Sequence, residues 1–207
     1  MVIEQETPAK IEAAMAVLDA IRDRRSVGRV RPERPPMAMI EAIIEAATWA
    51  PNHRLTEPWR FIVLAGEARH ALGEVMAQSQ AERRADDLTA AREAAARAAA
   101  KALRAPVIIA IAVEPAIGPK VVEIEEITAG AAATQNLLLA AHSLGLAAIW
   151  RTGDPTYDPA VKAFLALSPT ASLLGFVYVG YPDAPPPSRS RRPIAEVTTW
   201  RGWDEAE

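Results

Sequence analysis

The stretch EIEEITAGAAATQNLLLAAHSLGLAAIWRTG, residues 123–153, joins the longest core-type helix of the chain to a short strand and a glycine turn. Ile124, Ile127, Ala131, Leu138 and Ala141 recur at helical spacing and predict its buried face. Gly145 suits the left-handed residue that closes a helix, and Ala147 to Trp150 then reads as strand. Leu137, Leu138 and Leu139 in succession place apolar groups on more than one side, more than the core of a single subunit demands. An aromatic and a charge side by side, Trp150-Arg151, argue for a packed surface at the strand end.

Working outward, Leu173 to Tyr181 reads as a strand, and Val107 to Val113 is rich enough in Val and Ile for a strand buried on both faces. Arg60 to Ala65 predicts a further strand around Phe61, Ile62, Val63 and Leu64. Ile11, Met15, Leu18 and Ile21 give an amphipathic helix ending near Arg24. A second helix carries Ile40, Ile43, Ile44 and Ala47 and must stop before Pro51, because proline disfavours helical geometry in the residue before it. Residues 78–104 are alanine-rich and densely charged. Ala81, Ala85, Leu88, Ala95 and Ala99 give them a thin apolar stripe, and Glu93 and Arg97 a favourable i,i+4 pair. They read as one surface or capping helix. The tail 183–203, opening with Pro185, Pro186 and Pro187, has too few apolar residues to pack alone and should run extended across another surface. Helices outnumber strands, which predicts an α+β sandwich with a small central sheet.

Composition narrows the classes. With 207 residues and no cysteine, the chain has ample length for a core and no disulfide, thiolate or cysteine-metal chemistry. A net charge of −3 argues against a nucleic-acid surface. Apolar runs such as Leu137 to Ala141 are far short of a membrane span, and residues 1–10 do not read as a signal peptide, so the cytoplasm is the expectation. Local basic clusters stand at 22–34 and 189–192. Such clusters are ordinarily solvated charge, but these two could converge on a phosphate through the forked donors of arginine. His53, His70 and His142 lack metal-ligand spacing, and no nucleophile elbow, phosphate-binding Gly-Lys-Ser/Thr loop or Rossmann glycine fingerprint occurs.

Three separated motifs remain: Arg24-Arg25-Ser26 after the first helix, Pro51-Asn52-His53 leading to Glu57-Pro58-Trp59, and Trp150-Arg151-Thr152-Gly153. Together they resemble the nitroreductase family, FMN-dependent oxidoreductases that work as homodimers. The resemblance runs from about Ile11 to Trp200 and is strongest to a branch with Arg-Arg-Ser and Trp-Arg-Thr/Ser-Gly motifs. It implies one domain over 11–203, with a small, mainly antiparallel sheet surrounded by helices. It also implies that Arg24, Arg25 and Ser26 hold the FMN phosphate and ribityl chain, and that Arg191 (or Arg192) of Ser190-Arg191-Arg192-Pro193 adds a cation. Asn52 and His53 would reach the FMN of the opposite subunit. Trp150, Arg151, Thr152 and Gly153 would lie along the flavin, and Lys101 against its N1 and O2. Many relatives carry a basic residue at the position of Gly28 and a Gln at that of Glu57; here the next basic residue is Arg29.

The activity so implied is ping-pong transfer from NAD(P)H through FMN to a small acceptor such as a nitroaromatic or quinone. Other family activities, flavin reduction or dehalogenation among them, keep the same site. A flavin-binding dimer without turnover, acting as sensor or store, is an alternative of another class, and a pure interaction protein built on the alanine-rich helix a remote third. Anaerobic reduction by NADPH separates turnover from mere binding.

Overall fold

Seven consecutive apolar residues, Val107–Val113, form β2, and each of them is buried. A strand covered on both faces needs a layer on each side, and the chain supplies two. The computed structural model describes residues 8–186 and 188–203, with the backbone alone for 8–14. The segment 1–7, part of the stretch read for a signal, lies outside the described residues, as does the side chain of Ile11.

Four strands form one antiparallel sheet in the order β1-β2-β4-β3, with β1 Trp59–Ala65, β3 Ala147–Arg151 and β4 Ser172–Gly180. One face carries Ile109, Ile111, Ala148, Val177 and Val179 against α2 (Met37–Thr48) and α5 (Glu123–Ser143). The other carries Ile108, Ala110, Phe176 and Tyr178 against Leu72 and Met76 of α3 (Glu67–Glu82) and Ala98 of α4 (Leu88–Lys101). The expected α+β sandwich with a small antiparallel sheet is therefore present. α1 (Pro8–Asp23) leads into the sheet edge, and α6 (Pro159–Phe164) is a short helix capped by Asp158.

α5 differs from its sequence reading in phase. Its buried side is Glu126, Ala129, Gly130, Ala133, Thr134, Leu137, Leu138 and Ala141, whereas Ile124 is exposed and Ile127 half-buried. The reason is close approach. A Cβ at Gly130 would lie 2.5 Å from Val113 Cγ2 and 2.8 Å from Leu174 Cδ1, so the helix turns its smallest residues to the sheet. The helix ends as read: Gly145 has φ +73°, and the Leu146 N–H donates to the Ala141 carbonyl at 2.8 Å.

Residues 78–104 contain a break where the sequence reads as one helix. α3 ends at Glu82, and α4 begins after Asp87, whose carboxylate accepts from the Thr89 and Ala90 N–H groups at 3.0 Å. The break resets the helical phase. Ala91, Ala94 and Ala98 are the buried residues of α4, whereas of the expected stripe Leu88 is exposed and Ala95 and Ala99 are half-buried, Ala99 beside Gly73 of α3. The expected Glu93–Arg97 pair is present at 3.1 Å.

Candidate active site at the β3 edge

β3 is an edge strand, and the segment after α1 runs beside it. Ser26 bridges Ala148 in parallel, and the Val27 N–H donates to the Ala148 carbonyl at 3.1 Å. This docking fixes the two residues before it. Arg25 turns back on the helix end, donating to the Arg22 carbonyl and, at 3.0 Å, to that of Arg24, where the helix dipole favours a cation. Arg24 is half-buried. Burial, then the charges of Arg25 and Arg191, lower its pKa below the ordinary arginine value. The charge of Arg191 therefore acts on Arg24 although 167 positions separate them (191 − 24).

The Nε atoms of Arg24 and Arg25 are both buried without a hydrogen-bond partner. Among the described residues, none of the three arginines forms an ion pair within 4.0 Å. Two of the three cations carry an orphaned buried donor, and their unpaired charges suit a multiply charged anion such as a phosphate. The residues present thus fit the phosphate end of FMN.

The far end of β3 divides its side chains by strand alternation. Trp150 turns toward the α5 side, where its indole N–H donates to the Leu174 carbonyl at 3.0 Å. The half-buried indole thus packs against the α5-side core. Gly175 of β4, beside the indole, has φ +136°, and a Cβ there would come within 2.6 Å of the indole nitrogen. Arg151 turns to the other face. Its guanidinium lies 6.0 Å from the centre of the Tyr178 ring, and a Cβ at Gly28 would meet its Nη2 at 2.8 Å. Gly28 thus leaves room for a cation contributed by β3. Gly153 follows at φ +115° and starts the turn Asp154–Tyr157 through its carbonyl.

A cavity of about 320 Å³ opens here, lined by Lys101, Arg104, Arg151 and Thr152 with Met76 and Tyr178 among the rest. Its volume lies at the lower end of ligand pockets, roughly 300–1,000 Å³. Lys101 therefore meets Arg151 and Thr152 on the sheet face that α3 and α4 cover. Sequence reasoning missed Arg104 and Tyr178. Arg104 follows Lys101 by three residues, a spacing that keeps side chains neighbours at a helix end, while Tyr178 is visible only through the β3–β4 register that pairs it with Ile149.

Asn52 and His53 lie elsewhere. The Asn52 Oδ1 accepts the Glu57 N–H at 3.0 Å, and His53 Nδ1 stands 3.3 Å from Glu125 of α5. Buried Glu126, 1% exposed, accepts from Thr56 Oγ1 at 2.7 Å and from the Ala116 N–H at 3.2 Å. This bonding holds Arg54, Leu55 and Glu57 in left-handed geometry, at φ 58°, 54° and 46°. The loop sits at the N-terminal end of α5, whereas α1 reaches the other end through Ala16 and Ala20 beside Leu139 and Ser143. A helix of 21 residues spans about 30 Å. One chain does not bring Asn52 and His53 to the Arg24 cluster.

These features can be set beside known proteins. YfhC of Bacillus subtilis (strain 168), a provisionally named NAD(P)H nitroreductase, is 29% identical over 181 residues, covering 87% of this chain and 92% of its own. A crystal structure of a nitroreductase-like family protein from Bacillus cereus superposes with TM-score 0.74 at 26% identity, over 90% of this chain and 96% of that one. A provisionally named nitroreductase from Desulfovibrio desulfuricans, solved in complex with FMN, gives TM-score 0.70 at 28% identity, over 97% and 100%. The nitroreductase family model itself matches residues 21–181, from the end of α1 through the last strand, and so takes in Arg24-Arg25-Ser26, the Asn52 loop and the whole sheet, with Arg191 beyond it: the chain belongs to the nitroreductase family.

Proposed function

We propose that this nitroreductase-like oxidoreductase is a homodimer that binds FMN and carries electrons from NAD(P)H to a small acceptor such as a nitroaromatic or quinone. We place it in the branch marked by Arg24-Arg25-Ser26 and Trp150-Arg151-Thr152-Gly153. The observation that carries the cofactor is the pair of buried, unpartnered guanidinium nitrogens of Arg24 and Arg25, within reach of the charge of Arg191. FMN, when bound, supplies the redox chemistry, accepting a hydride equivalent from the nicotinamide and passing electrons to the acceptor after the oxidised donor has left.

The side chains of this protein bind and orient. Arg24 and Arg191 neutralise the phosphate, and Arg25, tied to the carbonyls of α1, keeps the segment in register. Ser26, held at Ala148, offers its hydroxyl to the ribityl chain. The main chain of Thr152 and Gly153 and the cations of Lys101 and Arg151 meet the ring. None of these roles removes a proton from carbon, so positioning and exclusion of water carry the rate.

The dimer is supported by what one chain leaves uncovered. Met15, Val17, Leu18 and Ile21 of α1 are 46–59% exposed, beside a groove formed with Leu139 and Ala140 of α5. Trp200 and Trp203 pack on each other at 5.5 Å and are otherwise exposed. The loop bearing Asn52 and His53 is fixed outward, so a partner subunit is the reading that gives it a flavin to reach. Among the described residues no helix is long and apolar enough to cross a membrane. Purified protein should be yellow, release FMN on denaturation and sediment as a dimer at low micromolar concentration. Colourless protein that gains no flavin from added FMN would refute the cofactor, and a monomer holding FMN tightly would refute the shared site.

A further inference from the structure

A second cavity, of about 470 Å³, stands where the start of β4 meets the turn Asp154–Tyr157, α6 and Ile127 of α5. It shares no lining residue with the cavity of Lys101 and Arg151, and none with the Arg24 cluster. Ile127, Leu173 and Leu174 give it an apolar wall, and Thr156, Lys162 and Ser172 supply polar groups, the composition of a small-molecule pocket. Thr156 is 4% exposed, and its buried hydroxyl has no hydrogen-bond partner among the described residues. Its main chain is satisfied, since the N–H donates to the Gly153 carbonyl at 2.9 Å. A buried hydroxyl without a partner is destabilising, so a ligand that pairs with it removes a cost the folded chain carries alone.

Lys162 is the one charged residue that lines this cavity. Its ammonium donates to the Pro169 carbonyl at 3.0 Å, which leaves two of its three N–H groups, and among the described residues no carboxylate lies within 4.0 Å of it. Glu114, on which its charge acts, is already bonded to the hydroxyl and N–H of Ser168. An adjoining cavity of about 570 Å³ shares Lys162, Ala171 and Ser172, and the Glu123 that lines it does not line the first.

A single positive charge sets the charge of the ligand. A phosphate dianion would leave one negative charge unpaired beside Ile127 and Leu174, at a cost in desolvation. A carboxylate matches the ammonium, and its second oxygen accepts from a hydroxyl. We infer that this cavity is a binding site for a monocarboxylate with a compact apolar body, such as an aromatic acid, held by Lys162 and the Thr156 hydroxyl. The site goes beyond the FMN reading and does not depend on it, because no cofactor contact enters the argument.

The test titrates benzoate, its neutral isostere benzamide and inorganic phosphate into the ¹⁵N-labelled protein as purified, with and without added FMN, and follows amide chemical shifts. Benzoate should bind at about 1 mM or tighter, with shifts centred on residues 154–157 and 171–174. Benzamide and phosphate should bind at least about tenfold more weakly, and added FMN should leave the benzoate affinity unchanged. Lys162→Gln should cost about tenfold for benzoate and erase its advantage over benzamide. Thr156→Val keeps the side-chain shape. It should weaken benzoate about three- to tenfold while the ligand-free protein melts at the same temperature or higher, because an orphaned hydroxyl has been replaced by a methyl. Equal affinity for benzoate and benzamide, benzoate binding that neither substitution alters, or no shift at about 20 mM would each overturn the site. So would shifts centred on residues 24–28 that FMN abolishes, which would place the anion at the Arg24 cluster. Absence of FMN binding bears on the cofactor reading alone, and the arm without FMN still decides this one.

Discussion

Arg24→Ala should weaken FMN binding while leaving the flavin-free protein as stable as before, and the two effects together identify an anion site. The Arg24 guanidinium has a buried, unpartnered Nε and stands against Arg25 and Arg191, whose charges lower its pKa after burial has done so first. Without an anion these cations repel one another, so removing one relieves repulsion in the empty site. With FMN bound, the same removal loses a charge-assisted contact of about 1.5–3 kcal/mol, roughly a 10- to 150-fold loss of affinity. Arg24→Met retains most of the buried aliphatic stem and separates packing from charge. Flavin fluorescence quenching gives the affinity, and thermal unfolding without FMN gives the stability. The wild-type affinity should also fall with added salt more steeply than that of either variant. Unchanged FMN affinity in both variants would refute the assignment. Arg24→Met destabilising the flavin-free protein by as much as it weakens binding would show Arg24 to be structural.

Three further outcomes are expected. His53→Ala should change FMN affinity or acceptor rate by less than about tenfold, since the exposed pair with Glu125 contributes at most about 1 kcal/mol and hydride transfer requires no general base here; steady-state kinetics checks it, and complete loss of activity with FMN retained would contradict it. Gly130→Ala places a methyl against Val113 and Leu174, and overpacking should outweigh the gain in helix propensity, for a net loss of about 1–2 kcal/mol in denaturant unfolding. The Glu114 carboxyl is held below its ordinary pKa first by the Ser168 hydroxyl, against opposing burial, with smaller help from the Ser168 N–H, Arg60 and Lys162. A depressed carboxylate pKa contributes stability that is present above about pH 4.5 and is lost as pH falls through the folded-state value, so Ser168→Ala should destabilise at pH 7 and progressively less on acidification, as unfolding across that range would report.

How much of this was legible in the sequence depended on whether the signal was local. β2 was readable because a double-sided strand is apolar throughout, and the end of α5 because Gly145 is the residue a left-handed cap favours. The facing side of α5 was misread because two large residues, Ile124 and Ile127, outweighed a glycine whose only distinction is what it touches. The break before α4 was hidden inside continuous alanine and charge, although Asp87 is an ordinary helix cap once the break is known. Most of α3, Glu67 to Ala77, is not legible because polar residues surround its buried Leu72 and Met76. At the site, Arg24 and Arg191 were named from a resemblance, and no local pattern joins them. Arg104 and Tyr178 enter only through strand register and the turn after α4, which composition and spacing do not encode.

The central claim is that this chain holds FMN in a geometry that accepts electrons from a nicotinamide. Anaerobic titration of the FMN-loaded protein with NADH and with NADPH tests it most directly. At least one donor should bleach the visible flavin band at about one equivalent per FMN, and the band should return when a quinone or nitroarene is added. A band that neither donor alters, in protein that binds FMN tightly, would contradict the enzyme and leave a flavin-binding protein without turnover.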